Sequence, residues 1–137
     1  MKKIFSPTPL WQNEGIALLR IVTGIFLIYH GWEIFDEEKM KEYVTWDVFK
    51  NSTSAPLMVY LGKGAELTAG ILWVLGLLTR IASLIVACTF IYIAFFIGNG
   101  KIWYEDQHPF LFVLLALTFF FTGPGRWSLD NILFKKQ

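Results

Sequence analysis

Cysteine is almost absent from this chain of 137 residues, which contains a single one, Cys88. A membrane protein that forms disulfides by itself needs a pair of thiols, usually spaced as CxxC, to pass electrons from one to the other. The sequence therefore excludes a self-contained dithiol relay. We interpret Cys88 as a small packing residue.

Charge is also scarce, because only 17% of the residues are charged and the formal net charge is +1. No basic stripe with interleaved aromatic residues is present, so we expect no nucleic-acid partner. No nucleophile stands beside a base in a recognisable pattern either. The sequence thus contains no self-contained catalytic constellation, and it identifies no cofactor.

Apolar residues, in contrast, are abundant: 55% of the chain is hydrophobic and 18% is aromatic. That is more than a soluble domain of this length can bury, whereas about 20 apolar residues suit a helix that crosses a bilayer. The sequence predicts a single domain, residues 1–137, of the all-α membrane class. Its short connections favour an antiparallel bundle of four transmembrane helices, at residues 15–35, 58–78, 81–98 and 106–123.

Only the connection between the first two helices is long, from residue 36 to residue 56, and it mixes acidic, basic and aromatic residues. This composition indicates an amphipathic segment that lies on the membrane surface or caps the bundle. An ordinary solvated loop is the alternative.

Orientation follows from the basic residues beside the spans, because lysine and arginine are enriched on the cytoplasmic side. An even number of crossings puts both termini on one side of the membrane. That side would collect six basic residues against four, so the sequence predicts cytoplasmic termini. The six are Lys2, Lys3, Arg80, Arg126, Lys135 and Lys136; the four are Lys39, Lys41, Lys50 and Lys101.

Ionisable residues inside the predicted spans are costly in lipid, so they should face one another within the bundle. Six of them fall in the outer half and are candidates for ligand binding or proton relay: His30, Glu33, Lys63, Glu66, Asp106 and His108. Either they form a polar pocket for a quinone head group or a polar lipid, or they pair off and only stabilise the bundle. A metal held by His30, Glu33, Glu66 and His108 is disfavoured, because the spacing matches no compact metal signature.

The stretch FTGPGRWSLDN, residues 121–131, ends the last apolar run. Its glycines and proline should stop the helix, and Ser128 should cap a short terminal helix, with Trp127 at the lipid interface. We expect Asp130 to pair with a neighbouring arginine, because it is the only acid placed there. The predicted structural charge lock consists of Arg20, Arg80, Arg126 and Asp130.

Small residues punctuate the second predicted helix at Gly62, Gly70 and Gly76. Glycines in transmembrane helices usually allow two backbones to approach closely. We therefore expect these three positions to contact a neighbouring helix.

Three segments together resemble the DoxX family of small four-helix bacterial membrane proteins. They are LLRIVTGIFLIYHG at residues 18–31, KGAELTAGILWVLGLLTR at residues 63–80 and GPGRWSLD at residues 123–130. The resemblance spans nearly the whole chain. It implies a multi-pass protein of the bacterial inner membrane, with the lipid bilayer as its surroundings.

The family name comes from a subunit of a thiosulfate:quinone oxidoreductase, and other members are linked to redox or stress complexes. The resemblance therefore implies an accessory subunit or small binding module of a membrane redox system. For such a module we consider a quinone or lipid in the outer polar layer, a redox protein partner and an oligomeric assembly. A scaffolding membrane protein without ligand is the alternative.

Overall fold

The computed structural model describes residues 6–134, and within these residues the chain is helical and contains no strand. The helices in chain order are α1 Gln12–Gly31, α2 Glu37–Val44, α3 Ala55–Leu75, α4 Thr79–Tyr92, α5 Gln107–Thr122 and α6 Leu129–Leu133. A 3-10 turn, Trp32–Phe35, follows α1, and a π-helix, Ile93–Ile97, continues α4. The basic residues Lys2, Lys3, Lys135 and Lys136, used above for orientation, lie outside the described range.

Among residues 6–134, three helical stretches are long and apolar enough to cross a membrane: Gln12–Phe35, Ala55–Leu75 and Thr79–Ile97. The helix α5 is apolar but has only 16 residues. At 1.5 Å per residue it measures about 24 Å, less than the roughly 30 Å of a hydrocarbon core. Composition thus predicts all four apolar helices within a few residues, but only three of them are long enough to be candidate spans.

The helix α1 packs most extensively against α3, and α4 against α5, while α3 and α4 join the two pairs. Glycine permits the first contact, because a Cβ added to Gly31 would lie 2.4 Å from the Leu67 backbone nitrogen. A Cβ on Gly70 would lie 2.8 Å from the backbone nitrogen of Ile28. The expected close approach is therefore present at Gly70, whereas a Cβ on Gly62 would meet nothing within 4 Å.

The connection between α1 and α3 is a structured cap. Asp36 accepts hydrogen bonds from the backbone amides of Glu38 and Lys39 and so starts α2. Met40 and Phe49 are buried, and they form a small apolar cluster with residues of α3. This packing supports the capping interpretation of residues 36–56 over the solvated loop.

At the opposite end of the molecule, Gly123 and Gly125 adopt φ values of +80° and +69° and end α5 after Thr122. Ser128 caps α6 as expected, because its hydroxyl oxygen accepts a hydrogen bond from the Asn131 amide. The segment that closes the chain therefore has the predicted local structure.

Arg20 is fully buried at this end, but its partners are carbonyl groups. Its guanidinium donates to the carbonyl of Trp73, to that of Pro124 at 2.8 Å and to that of Trp127 at 2.9 Å. The carbonyls at the end of α3 carry the negative end of the helix dipole, and that of Trp73 also accepts from the Gly76 amide at 3.1 Å. The buried arginine adds a second, charged donor and links α3 to the closing segment.

The predicted pairing of Asp130 with an arginine is wrong. Its two carboxylate oxygens accept from the backbone amides of Leu78 at 2.6 Å and Thr79 at 2.9 Å, at the start of α4. Free amides at a helix N-terminus, together with the positive end of the helix dipole, favour a carboxylate there. Arg126 instead pairs with Glu14 at 2.5 Å, and Arg80 is exposed and forms no ion pair with any residue from 6 to 134.

These contacts change what Asp130→Ala should do. The substitution leaves two helix amides without their acceptor but leaves no buried arginine unpaired, so we expect a loss of about 0.5–2 kcal/mol, the range for a lost helix cap. Asp130→Asn retains one acceptor oxygen and should lose less. Thermal unfolding of the two variants in detergent checks this order, and equal melting of Asp130→Ala and the parent would contradict the capping contact.

Candidate ligand-binding site

Five elements converge at the end of the molecule that lies opposite Arg20. They are the C-terminal end of α1 with its 3-10 turn, the segment around α2, the first half of α3, the π-helical end of α4, and the start of α5. Most of the predicted polar residues lie here, because the ionisable positions of the apolar helices fall near these ends.

Lys63 is the centre of the polar cluster. Its ammonium group lies 2.9 Å from a carboxylate oxygen of Glu33 and 3.2 Å from one of Glu66, and it donates to the carbonyl of His30 at 3.3 Å. An ammonium has three N–H donors, so these contacts use all of them. Lys63 therefore fixes the two carboxylates in place and has no donor left over.

Glu33 connects this cluster to α2. It accepts hydrogen bonds from Lys39 at 3.0 Å and from the Tyr43 hydroxyl at 2.7 Å. Burial, together with the hydrogen bond to Glu33, raises the pKa of the Tyr43 phenol above its usual range, so it stays a donor. The hydrogen bond to Glu33 likewise raises the pKa of Lys39. Two charge-assisted hydrogen bonds to Glu33 thus attach α2 to the end of α1.

Glu66 is the most deeply buried carboxylate of the cluster, with 6% of its side chain exposed. Only its Oε2 atom pairs with Lys63. The other oxygen, Oε1, accepts no hydrogen bond from residues 6–134, and Glu66 lines a cavity. One carboxylate oxygen is therefore available to a ligand.

The cavity beside Glu66 has a volume of about 340 Å³. Cavities of about 300–1,000 Å³ that combine apolar walls with a few convergent polar groups are typical of small-molecule sites. Here the polar groups are His30, Lys63, Glu66 and His108. The walls are mainly aromatic and aliphatic, and include Tyr43, Trp46, Phe49, Met58, Val59, Phe90, Tyr92, Ile93 and Ile97.

Two imidazole rings stand at the same cavity. The rings of His30 and His108 lie 6.1 Å apart, and that of His108 lies 5.5 Å from the Phe112 ring. Neither imidazole forms a hydrogen bond with any other residue of the described range. No three histidine, cysteine or carboxylate side chains among residues 6–134 are placed to hold a metal ion. The arrangement gives the metal alternative no support.

Asp106, the sixth residue of the predicted set, has other partners. Its carboxylate accepts from the backbone amides of Asn99 at 3.0 Å and Lys101 at 2.8 Å, and it does not line the cavity. These bonds hold the turn between α4 and α5. The carboxylate of an acid just before a helix commonly accepts hydrogen bonds from nearby backbone amides. Asp106 has this local structural role and is not part of the candidate site.

Sequence reasoning missed Lys39 and Tyr43, the two residues that link α2 to Glu33. It also missed Trp46 and Phe49, which line the cavity from the same segment. The usable signal was the amphipathic composition of residues 36–56, which indicated a cap without saying which side chains turn inward.

Comparisons with known proteins give a family. The sequence model of the DoxX family matches residues 15–99. An uncharacterized protein of Haemophilus influenzae is 32% identical over 128 residues, which cover 88% of this chain and 92% of the relative. A Bacillus subtilis protein named "Putative oxidoreductase CatD" is 32% identical over 129 residues, which cover 88% of each chain. No solved structure matches the chain. With this family match and three helices able to cross a bilayer, the chain is a membrane protein of the DoxX family.

Proposed function

We propose that this protein is an accessory, ligand-binding subunit of a membrane redox system and that the cavity beside Glu66 holds a quinone head group. The observation that carries the proposal is a cavity of about 340 Å³ with aromatic walls, two unpartnered imidazoles and one free carboxylate oxygen. The name of the Bacillus subtilis relative supports a redox role.

The chemistry of the cavity suits both oxidation states of a quinone. A quinone ring is flat and apolar and carries carbonyl oxygens, which can accept from an imidazole N–H of His30 or His108. A quinol carries hydroxyl groups, and one of these can donate to the free oxygen of Glu66. Aromatic walls provide the offset and edge-to-face contacts that ring systems prefer.

Charge balance favours a neutral ligand. The cluster contains two ammonium groups, on Lys39 and Lys63, and two carboxylates, on Glu33 and Glu66, all connected by contacts of 2.9–3.2 Å. An anionic ligand would find no uncompensated cation there, because Lys63 already uses its three donors. A quinone needs none.

Electrons must come from elsewhere, since the described residues contain no self-contained redox group. We therefore include a redox protein partner in the proposal, and the present chain would supply the binding site. An assembly of several copies is compatible with this role.

The membrane arrangement that supports the role has four crossings by α1, α3, α4 and α5, antiparallel in sequence order, in the bacterial inner membrane. Two contacts support it: the start of α1 meets the end of α3 through Arg20, and the end of α1 meets the first half of α3 through Glu33 and Lys63. The basic residues favour cytoplasmic termini, and with that orientation the cavity would lie near the outer leaflet.

A scaffolding protein without ligand is the second candidate. The observation that favours it is the mutual pairing of Glu33, Lys63 and Glu66, which requires no further partner. It does not account for the cavity or for the two unpartnered imidazoles. The candidates differ in one measurable respect, which is whether the purified protein binds quinone.

His30→Leu tests the proposal. The change removes a cavity donor that has no hydrogen-bond partner in the described residues, so stability should be unchanged. Quinone affinity should fall about tenfold, the worth of one good hydrogen bond. His108→Leu is the companion variant. Binding is measured by titration of a short-chain benzoquinone into detergent-solubilised protein, with thermal unfolding in parallel.

Glu105→Gln provides the control, because Glu105 is exposed, pairs only with Lys101 at 3.1 Å and does not line the cavity. Its affinity should equal that of the parent. If the parent binds no quinone, or if both histidine variants bind as tightly as the parent, the quinone proposal is wrong. The scaffolding alternative would then stand if the protein retains no phospholipid either.

A further inference from the structure

We infer that the ligand enters from the lipid phase through a lateral opening between α3 and α4, and that Gly62 keeps this opening free for an apolar tail. The inference rests on the proposed function and deepens it. It names the class of quinone that the cavity holds, which is a membrane-borne quinone with a long hydrocarbon chain.

The route from water is covered by the segment between α1 and α3. Tyr43, Trp46 and Phe49 line the cavity from this segment, and Phe49 is only 4% exposed. The hydroxyl of Tyr43 is tied to Glu33 at 2.7 Å, and Lys39 adds a second tie at 3.0 Å. A ligand arriving from the aqueous side would have to break these contacts and displace the buried ring of Phe49, beside which Trp46 is 43% exposed.

The route from lipid lies between α3 and α4. These two helices contact each other less extensively than α1 contacts α3 or α4 contacts α5. Both nevertheless line the cavity, α3 through residues such as Met58 and Gly62 and α4 through Thr89 and Tyr92. Met58 lines the cavity and is also 36% exposed, so on the α3 side a lining residue reaches the outer surface of the helix.

Gly62 has no packing reason to be glycine. A Cβ at this position would meet nothing within 4 Å, whereas one at Gly70 would meet backbone atoms of α1. Gly62 lines the cavity, so the position borders open space. A side chain longer than a methyl group here would project into the opening.

The walls of the opening suit a hydrocarbon tail. They are formed by Met58, Tyr92, Ile93 and Ile97, of which the last two belong to the π-helical end of α4. A π-helical segment widens the helix and commonly occurs at functional sites. Methionine and isoleucine offer no hydrogen bond to a charged head group, but they pack well against methylene groups.

The test compares two ligands with the same ring. One is a dimethoxy-methyl-benzoquinone with a decyl chain, and the other is the same ring without the chain. Both are titrated into the parent, Gly62→Leu and Gly62→Ala in detergent, and native mass spectrometry records the phospholipid that each protein retains. Gly62→Ala is the matched control, because a methyl group leaves most of the opening free.

We expect the parent to bind the decyl compound at least about tenfold more tightly than the chainless ring, since each buried methylene adds affinity. Gly62→Leu should remove most of this preference and leave the affinity for the chainless ring about unchanged. Gly62→Ala should behave like the parent. Equal binding of the two rings by the parent, or an equal loss of both in Gly62→Leu, would overturn the lateral opening while the quinone site stands.

A wrong quinone assignment would give a different experimental result from a wrong lateral opening. If the parent binds neither ring but retains phospholipid that Gly62→Leu loses, then the lateral opening is correct and its ligand is a lipid. If the parent binds neither ring and retains no phospholipid, both proposals are wrong.

Discussion

Arg20→Met should cause the largest loss of stability of any single change at the Arg20 end of the molecule. Arg20 is fully buried, and its guanidinium donates to carbonyls of Trp73, Pro124 and Trp127. Methionine fills a similar space but provides no donor, so the carbonyls of Pro124 and Trp127 would lose their partner, whereas that of Trp73 keeps the Gly76 amide. Each such carbonyl that loses its partner costs about 1–3 kcal/mol, so the total should reach at least about 2 kcal/mol.

The matched control is Arg80→Met, because Arg80 is exposed and forms no ion pair with the described residues. It should change the free energy of unfolding by less than about 0.5 kcal/mol, as surface substitutions usually do. The measurements are the fraction of protein that elutes as one folded species in detergent and its melting temperature. If both variants melt like the parent, the buried guanidinium does not hold this end together.

The apolar helices could be predicted from the sequence because lipid imposes a length and a composition on each crossing. The polar cluster could be predicted for a related reason: ionisable groups within apolar helices must find one another. His30, Glu33, Lys63 and Glu66 accordingly lie together at one end of the molecule. The physical cost of an isolated charge was sufficient to place them.

The partners of these charges could not be predicted, because backbone groups compete with side chains for every charge. Asp130 accepts from two amides at the start of α4, and Arg20 donates to carbonyls at the end of α3. The sequence does not say which helix ends meet in space. A count of acids and arginines on one side of the membrane therefore suggested an ion pair, and helix ends supplied the actual partners.

The role of α2 could not be predicted from the sequence either. Glu33 is reached by Lys39 and Tyr43 only because the chain reverses direction at Asp36, and that geometry leaves no periodic pattern. The position of Glu33 also affects Lys63, which pairs with both Glu33 and Glu66. Because Glu33 is its second carboxylate partner, neutralising Glu66 alone would not leave Lys63 without a counter-charge.

Gly31→Ala should destabilise the protein and disrupt the candidate site at the same time. The added methyl would lie 2.4 Å from the backbone nitrogen of Leu67 and 2.6 Å from its Cα. Backbone atoms cannot move aside as a flexible side chain can, so α1 and α3 would have to separate. Overpacking of this kind typically costs about 1–3 kcal/mol.

The separation would act directly on the polar cluster, because Gly31 lies between His30 and Glu33, and both of these residues contact Lys63. The carbonyl of His30 accepts from Lys63 at 3.3 Å, and Glu33 lies 2.9 Å from it. A shift of a few tenths of an ångström in α1 would stretch both contacts. We therefore expect Gly31→Ala to lower quinone affinity as well as the melting temperature.

Gly15→Ala makes the same chemical change in the same helix at a position where a Cβ would meet nothing within 4 Å. It should stabilise α1 slightly, by up to about 1 kcal/mol, because alanine is the better helix former. The two substitutions should therefore shift the melting temperature in opposite directions, and only Gly31→Ala should weaken quinone binding. If Gly31→Ala instead raises the melting temperature as Gly15→Ala does, then α1 and α3 are not in glycine-mediated contact beside the site, and the geometry on which the cavity depends is wrong.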